Sequence, residues 1–475
     1  MEVSYNIDNE KPSESCGVVG IYSLDQDISR LTYLGIYSLQ HRGQESAGIA
    51  CSDGQKISLH KDLGLVNQVF KEENLNKLKG NIAIGHTRYS TMGSNRTYNS
   101  QPIRADGPNG SLYLGHNGNV INALDLKSHL SEWGVENYDS TSDSEIIAQL
   151  YAMSPGLNWH QKSEYCMSKL KGAYSLVMLS EDTLVGVRDP LGIRPLCLGE
   201  IEGGFVLASE TCALDHIGAK FIRDIQPGET IVINKKGVSS SVFSGARQTH
   251  SMCIFEQIYF SRPDSIIEGK LTYSSRMAMG AELARQHPVK ADMVIGIPDS
   301  ATASAVGYAN ESNIPFGEGL VKNRYVGRTF IEPNQKIRDL GVKTKFNPLK
   351  KLIEGKDIVV VDDSIVRGTT TPRVMKILRQ AGVRKIHMRV CAPPIISPCH
   401  FGVDMGKHAE LIAAQKSIEE IRKYIGSDSL GYLNVEGLLK AVGVQDSSYC
   451  RACFTGEYPI PVQLEMNKMQ LEEIP

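Results

Sequence analysis

Short apolar runs crowd the chain between Cys16 and about Thr230, at residues 17–23, 81–86, 112–116, 173–179, 205–208 and 229–233. Their β-type composition and the turn residues between them predict strands. Segments 31–40 and 144–153 space their apolar residues as amphipathic helices do. Together these elements predict stacked, largely antiparallel sheets with helices outside. The character changes after Ser239-Ser240-Ser241. From Ala291 onward the apolar runs 293–297, 358–361 and 386–391 are each followed by turn residues and a helix-like stretch. That order predicts a parallel sheet with crossover helices. No internal repeat or low-complexity tract interrupts either half. The two ends carry little that drives packing. Residues 1–15 are polar, with Glu2, Asp8, Glu10, Glu14 and Pro12, and read as a disordered leader. The tail from Phe454 contains Pro459 and Pro461 and then turns charged, which predicts a surface extension.

A length of 475 residues is too great for one typical core and suits two large domains. The balance of 51 basic against 53 acidic residues gives a formal charge of -2, with no electrostatic basis for binding nucleic acid or an anionic membrane. Small anionic substrates remain open to local patches. No stretch approaches the roughly 20 apolar residues of a membrane span, and the opening sequence lacks the basic and apolar regions of an export signal. A cytoplasmic protein is expected. The 10 cysteines are then poor disulfide candidates and better metal, catalytic or buried-core candidates.

The most informative segment is Val359-Val360-Val361-Asp362-Asp363-Ser364-Ile365-Val366-Arg367-Gly368-Thr369-Thr370. An apolar strand delivers two adjacent carboxylates, and a Gly/Thr loop runs into a helix whose start is marked by Pro372. The acidic pair can hold ribose hydroxyls directly or through Mg²⁺, while the loop amides and the helix N-terminus cradle a phosphate. An isolated Asp-Asp pair is equally well explained as an acidic cap on a common turn. The whole string is not, because it resembles the signature with which type I phosphoribosyltransferases bind phosphoribosyl diphosphate (PRPP). The resemblance implies PRPP contacts from Asp362, Asp363, Ser364, Arg367, Gly368, Thr369 and Thr370. Ile295-Gly296-Ile297-Pro298-Asp299-Ser300-Ala301 fits a loop for diphosphate and Mg²⁺, with Ser300 joining Asp362 and Asp363 around the metal. Lys322-Asn323-Arg324-Tyr325-Val326-Gly327-Arg328-Thr329-Phe330 fits a basic lid, adding Lys322 and Tyr325 to the PRPP contacts. By itself this run would read as a solvated basic loop.

In the first half, Cys16-Gly17-Val18-Val19-Gly20-Ile21 alone would be a buried strand with a packing cysteine. It is followed in order by Gln40-His41-Arg42-Gly43-Gln44-Glu45, Gly85-His86-Thr87-Arg88-Tyr89-Ser90-Thr91, Gly115-His116-Asn117-Gly118-Asn119 and Thr141-Ser142-Asp143-Ser144-Glu145. This set resembles the class II glutamine amidotransferases of the N-terminal-nucleophile hydrolase group. A terminal cysteine can use its own α-amine, of ordinary pKa ~8, as general base, so no histidine is required. The resemblance assigns Arg88 to the glutamine α-carboxylate, Asp143 to its α-ammonium, and the Asn117 side chain with the Gly118 N–H to the oxyanion hole. His86 is expected to be structural. Cys16 is not the first encoded residue, so the same resemblance implies removal of residues 1–15 on maturation.

Both halves together resemble the glutamine phosphoribosyldiphosphate amidotransferase family, which opens purine synthesis. Asp189-Pro190-Leu191-Gly192-Ile193-Arg194-Pro195-Leu196 and Tyr259-Phe260-Ser261-Arg262-Pro263-Asp264-Ser265 strengthen the likeness. It implies an N-terminal-nucleophile hydrolase αββα sandwich at 16–235 and a type I phosphoribosyltransferase parallel-sheet domain at 250–460 with a C-terminal cluster-binding segment. The implied fold class is thus α/β and α+β in two domains. Cys450-Arg451-Ala452-Cys453 alone could be a redox pair, half a zinc site or coincidence. In the iron–sulfur members of the family Cys253 and Cys399 match the remaining ligands of a [4Fe–4S] cluster, although four thiolates suit zinc equally. Cys391 is the rival ligand, placed by its apolar strand as a buried thiol, and Cys51, Cys166, Cys197 and Cys212 read as packing residues. Feedback inhibition by purine nucleotides and a homotetramer follow from the resemblance alone. The alternative, a non-catalytic PRPP or nucleotide sensor on the same fold, could dispense with Cys16, Arg88, Asn117 and Asp143, and all four are present.

Overall fold

A computed structural model describes residues 16–89, 95–246, 250–323, 346–405, 407–443 and 448–462. The leader 1–15 and Tyr325 lie outside them. The apolar runs of the first half build two antiparallel sheets. One has seven strands, in the spatial order Lys220–Asp224, Cys197–Ile201, Gly204–Ala208, Gly17–Ser23, Ile82–Arg88, Ser46–Ser52 and Ile57–Leu63. The other has six, in the order Gly237–Val242, Glu229–Asn234, Leu184–Arg188, Gly172–Leu179, Gly110–Val120 and Ile103–Gly107. The domain end expected at residue 235 falls inside the hairpin of the second sheet, because Thr230 pairs with Ser241 and carries the ladder on to Val242.

Strand alternation explains the layering. Val18 and Tyr22 join Ile82, Ile84, Tyr113, Val177 and Leu179 in a core between the two sheets. Val19 and Ile21 point the other way, into a core shared with the helices Ile28–Ser38 and Thr211–His216. Leu176 and Met178 do the same on the second sheet, beneath Asp143–Met153 and Trp159–Lys169. The result is helix, sheet, sheet, helix. Strands buried on both faces read as continuous apolar runs, which is why these segments were conspicuous.

In the second half four parallel strands lie in the order Met293–Gly296, Asp357–Asp362, Lys385–Val390 and Ser429–Tyr432. The crossover helices include Thr302–Ser312 and Thr371–Gln380, the latter with Pro372 in its first turn. The tail is a correction to the sequence reading, at least to residue 462. Phe454 is buried with its ring 5.5 Å from that of Phe255, Tyr458 donates its hydroxyl to the Pro398 carbonyl at 2.7 Å, and Ile460 and Val462 pack on the same core. Widely spaced apolar residues fasten this segment even though its prolines interrupt regular structure. Among the described residues no helix is long and apolar enough to cross a membrane.

The two domains share buried structure. Ala173, Leu191 and Ile193 of the first enter the core of the second. Arg42 makes a forked contact with Glu256, at 3.0 Å from Nη1 and 2.7 Å from Nη2 to Oε2, and Arg194 Nη1 approaches Glu256 Oε1 at 3.4 Å. All three side chains are fully buried. Such a set stays in place only because every charge has a partner.

Candidate active site

Strand parity also arranges the first site. Cys16 stands one strand period before Val18, Arg88 two periods after Ile84, and Asn117 two periods after Tyr113, so all three address the layer between the sheets. Cys16, Arg88, Gly118 and Asp143 line one cleft there with Gln101 and His116. The Cys16 thiol donates to the Tyr89 carbonyl at 3.4 Å, and the Tyr89 N–H returns a contact to sulfur at 3.5 Å. Burial pushes this thiol up, opposed by the Tyr89 contact and the Arg88 charge. A thiol in that state needs a base to become a nucleophile.

Asp143 opens its helix and accepts the Val120 N–H at 3.0 Å. Asn117 is fully buried, and neither its amide nitrogen nor its amide oxygen has a partner among the described residues. Asn117 is not itself among the residues that line the cleft, although its neighbour Gly118 is. Gly118 has φ +149, and a Cβ there would lie 2.0 Å from the Ala173 carbonyl oxygen, so only glycine fits. His86 donates through Nε2 to the His116 carbonyl at 3.0 Å. Burial holds it neutral, with its pKa down at about 3, which matches a framework role rather than that of a base.

One residue of this site, Gln101, and one that holds the segment beside it, Lys61, escaped the sequence reading. Gln101 accepts the His116 N–H at 2.7 Å and donates to Ser144 Oγ at 3.0 Å, stitching the Asn117 strand to the Asp143 helix. Lys61 donates to the Ser100 and Pro102 carbonyls at 2.6 and 3.2 Å, and burial brings its pKa down to about 8. Neither stands in a periodic pattern or a motif that would have marked it.

The second site lies at the carboxyl ends of the parallel strands, the usual ligand position in such sheets. Asp362 ends its strand, the Asp363 N–H donates to Asp362 Oδ1 at 2.9 Å, and Ser364 Oγ donates to Asp363 Oδ1 at 2.8 Å. Gly368 has φ +70 and leads through Thr369 and Thr370 to the helix N-terminus. Arg367 is held by Glu410, at 2.9 Å from Nε and 2.8 Å from Nη2. Ser300 sits in the turn after Met293–Gly296, alongside, where the Ile297 N–H donates to the Val361 carbonyl at 2.9 Å. Lys322 lies 3.1 Å from Asp299 Oδ2. Arg276, missed in the sequence, is buried behind the loop, donates to the Gln257 and Ser261 carbonyls at 3.1 and 2.7 Å, and feels the Asp363 charge.

Cys253 and Cys450 face each other in register between two short parallel strands. The Cys453 carbonyl accepts the Ile396 and Ser397 N–H groups at 2.9 and 3.1 Å, and the Phe401 N–H donates to Cys399 Sγ at 3.3 Å. Cys453 follows Cys450 by three residues and its carbonyl holds the segment two residues before Cys399, so the four cysteines lie in one neighbourhood. Burial pushes Cys450 up to about 12. Cys391 stands elsewhere, beside Ser304, Asp362 and Asp363, as a buried thiol with its pKa likewise raised to about 12. Cys51, Cys166, Cys197 and Cys212 are buried free thiols. Among the described residues no group of three or more His, Cys, Asp or Glu side chains is disposed to hold a metal ion.

Comparison with known proteins finds both kinds of domain in this chain. The glutamine amidotransferase domain family matches residues 86–216, and the phosphoribosyl transferase domain family matches residues 276–394. Amidophosphoribosyltransferase of Synechocystis sp. is 47% identical over 472 residues, covering 98% of this chain and 95% of that protein. The Methanothermobacter thermautotrophicus amidophosphoribosyltransferase is 45% identical, covering 96% of this chain and 97% of its own. The chain belongs to the amidophosphoribosyltransferase family. A solved amidophosphoribosyltransferase structure, the Bacillus subtilis glutamine PRPP amidotransferase complexed with ADP and GMP, superimposes with a TM-score of 0.89 at 45% identity, covering 95% of this chain and 99% of that one. The amidophosphoribosyltransferase fold expected from the sequence, an N-terminal-nucleophile amidotransferase sandwich followed by a phosphoribosyltransferase sheet, is the one observed.

Proposed function

We propose that this amidophosphoribosyltransferase hydrolyses glutamine at Cys16 and passes the ammonia internally to PRPP, giving 5-phosphoribosylamine, diphosphate and glutamate at the opening step of purine synthesis. The observation that carries the reading is the presence in one chain of a cleft lined by Cys16, Arg88, Gly118 and Asp143 and of the Asp362-Asp363 pair at the ends of a parallel sheet.

Arg88 pairs with the substrate α-carboxylate and Asp143 with its α-ammonium, so both charges select free glutamine. The α-amine of Cys16 takes the thiol proton as sulfur attacks the side-chain amide, and gives a proton to the departing ammonia. The open Asn117 amide and the Gly118 N–H receive the oxyanion, a contribution of about 2.7–4 kcal/mol per donor. Water then releases glutamate from the thioester. At the second site Asp362 and Asp363 hold the ribose, while the 368–370 loop, Ser364 and Arg367 hold phosphate. Lys322 adds a cation to the PRPP contacts, and Tyr325, outside the described residues, is the further contact expected from the sequence. Asp362, Asp363 and Ser300 offer the hard oxygen donors that suit Mg²⁺, which supplies charge neutralisation to the leaving diphosphate when bound.

The α-amine can act only if residues 1–15 have been removed, and intact-mass analysis of active enzyme is expected to find that loss. Full activity with Met1 still attached would sink this base. Cys253 and Cys453, which are buried, and Cys399 and Cys450, which are partly buried, are free thiols of the kind an iron–sulfur cluster takes as ligands, and such a cluster would cross-link the chain. A purine nucleotide inhibitor is the effector class supported by the ADP and GMP bound to the Bacillus subtilis relative. A homotetramer is the assembly that family membership favours.

The test separates the two halves. Cys16→Ser is expected to abolish glutamine use and retain synthesis from ammonia, whereas Asp362→Ala with Asp363→Ala removes synthesis from either nitrogen source. Equal loss of ammonia-driven synthesis in the folded Cys16 variant would contradict the division.

A further inference from the structure

The strand bearing Asn117 and Gly118 is supported on one side by the transferase domain. The Asn119 Nδ2 donates to the His400 carbonyl at 3.0 Å, a contact between buried groups far apart in the chain. Asn119 lies two positions beyond Asn117 on the same strand, so both side chains leave the same face. Gly402 packs against Gly118 itself: a Cβ on Gly402 would stand 2.9 Å from the Gly118 carbonyl carbon and 3.0 Å from its oxygen. With φ +93, position 402 favours glycine for its backbone as well as for its space.

The loop making these contacts is itself held from two directions. Arg194 Nη2 donates to the Phe401 carbonyl at 2.6 Å, while the Arg194 backbone carbonyl accepts Ser175 Oγ at 3.1 Å. Ser175 is the register partner of Asn117. On the other side the His400 ring meets Tyr458 at 5.0 Å, and Tyr458 is fixed to the Pro398 carbonyl. The Asn117 amide, in contrast, has no partner of its own among the described residues, so the position of that donor depends on what holds the strand.

From this geometry we infer that segment 400–402 of the transferase domain is a positioning element for glutamine hydrolysis, fixing the oxyanion donors Asn117 and Gly118 through Asn119 and Gly402. The inference rests on the oxyanion reading of Asn117 and Gly118 and adds to it the structure that sets their place. Oxyanion stabilisation depends on donors held in advance where charge develops, so a shift of the strand reduces turnover more than substrate binding.

The test uses the full-length enzyme with two variants. Asn119→Ala removes the tether, and Gly402→Ala drives a methyl group against Gly118. Each is expected to lower glutamine turnover about tenfold, short of the roughly 100- to 1,000-fold that follows outright loss of an oxyanion donor. KM for glutamine and synthesis from ammonia stay as in the parent. The discriminating readout is inhibitor affinity. Glutamate γ-semialdehyde, which adds to the Cys16 thiol as a tetrahedral adduct, loses affinity in step with turnover, while glutamate, which uses only the α groups, binds as before. Parent-like turnover and aldehyde affinity in both variants overturn the inference. So does a parallel fall in glutamate affinity or ammonia-driven synthesis, which marks general damage. If Asn119→Ala folds poorly, Asn119→Leu, of similar size and without a donor, replaces it. Asn117→Ala is the control: undiminished aldehyde affinity there would overturn the oxyanion reading itself, separately from the role of the segment.

Discussion

Val120 donates its backbone N–H to the Asp143 carboxylate at 3.0 Å, joining the end of the Asn117 strand to the start of the helix that lines the cleft. One carboxylate thus serves the framework and, in the proposed mechanism, the substrate ammonium. Asp143→Asn keeps an oxygen for Val120 and removes the charge. A charged hydrogen bond contributes about 1.5–3 kcal/mol, so KM for glutamine is expected to rise about 10- to 150-fold. Steady-state kinetics with glutamine and with ammonia check this, the latter remaining unchanged. An unaltered KM would remove Asp143 from substrate binding.

The sequence made some of this site legible and hid the rest for physical reasons. Strand Gly17–Ser23 was visible because both of its faces are buried and its residues are apolar. Strand Ser46–Ser52 was not, because its residues are small for a spatial reason: a Cβ on Gly48 would lie 2.2 Å from the Gln101 carbonyl oxygen. The edge strand Gly237–Val242 is mostly exposed and serine-rich, so it resembled the end of a domain. Motif order pointed to Cys16, Arg88, Asn117, Asp143 and the 362–370 loop. Their supports, Gln101, Arg276 and Glu410, are polar residues whose partners come from other elements, and no local periodicity encodes such pairings.

Glu256 is the shared acceptor of Arg42 and Arg194 at the domain boundary, with no solvent to screen any of the three. Removing its charge takes away the carboxylate facing Arg194 and leaves Arg42 with Glu210 alone, 3.2 Å from its Nη1. Glu256→Gln is therefore expected to destabilise the protein by about 3–5 kcal/mol, far above the effect of an exposed pair. Denaturant unfolding measures it. Adding Arg194→Met removes the cation that Glu256 faces and is expected to recover part of the loss; strictly additive losses would indicate that the charges are not coupled.

His86 gives a pH prediction. Burial lowers its pKa from 6.5 to about 3, so between these values the unfolded chain binds a proton that the folded one refuses. Its contribution to stability is fully present above pH 6.5 and is lost progressively as pH falls toward about 3. Within that window the slope attributable to this one group approaches about 1.4 kcal/mol per pH unit. His86→Gln retains a donor for the His116 carbonyl and cannot titrate, so its stability is expected to fall less steeply on acidification. Parallel stability-versus-pH curves for variant and parent would show that His86 is not the titrating group.

The last prediction concerns Cys253, Cys399, Cys450 and Cys453, which are expected to hold one [4Fe–4S] cluster with a structural duty. Cys253 starts the transferase region and Cys450 and Cys453 come near its end, yet Cys253 and Cys450 pair directly across two short strands. A cross-link there closes a very long loop and restricts the unfolded chain. The strands themselves are two residues each, too short to secure that closure unaided. Burial raises the Cys253 and Cys450 thiols, so ligation would also have to supply the energy of deprotonating them and would link folding to metal loading. Neither proposed reaction transfers an electron, which leaves the cluster no redox task. Serine at any one of the four is expected to lower the unfolding temperature and deplete iron, whereas Cys391→Ser, beside Asp362 and Asp363 and away from the other thiols, retains its iron. Iron and sulfide analysis with absorption spectroscopy on anaerobic protein checks the composition, at about four of each per chain. About one zinc and no iron would refute the cluster, and a stable, iron-loaded Cys253→Ser protein would refute that ligand.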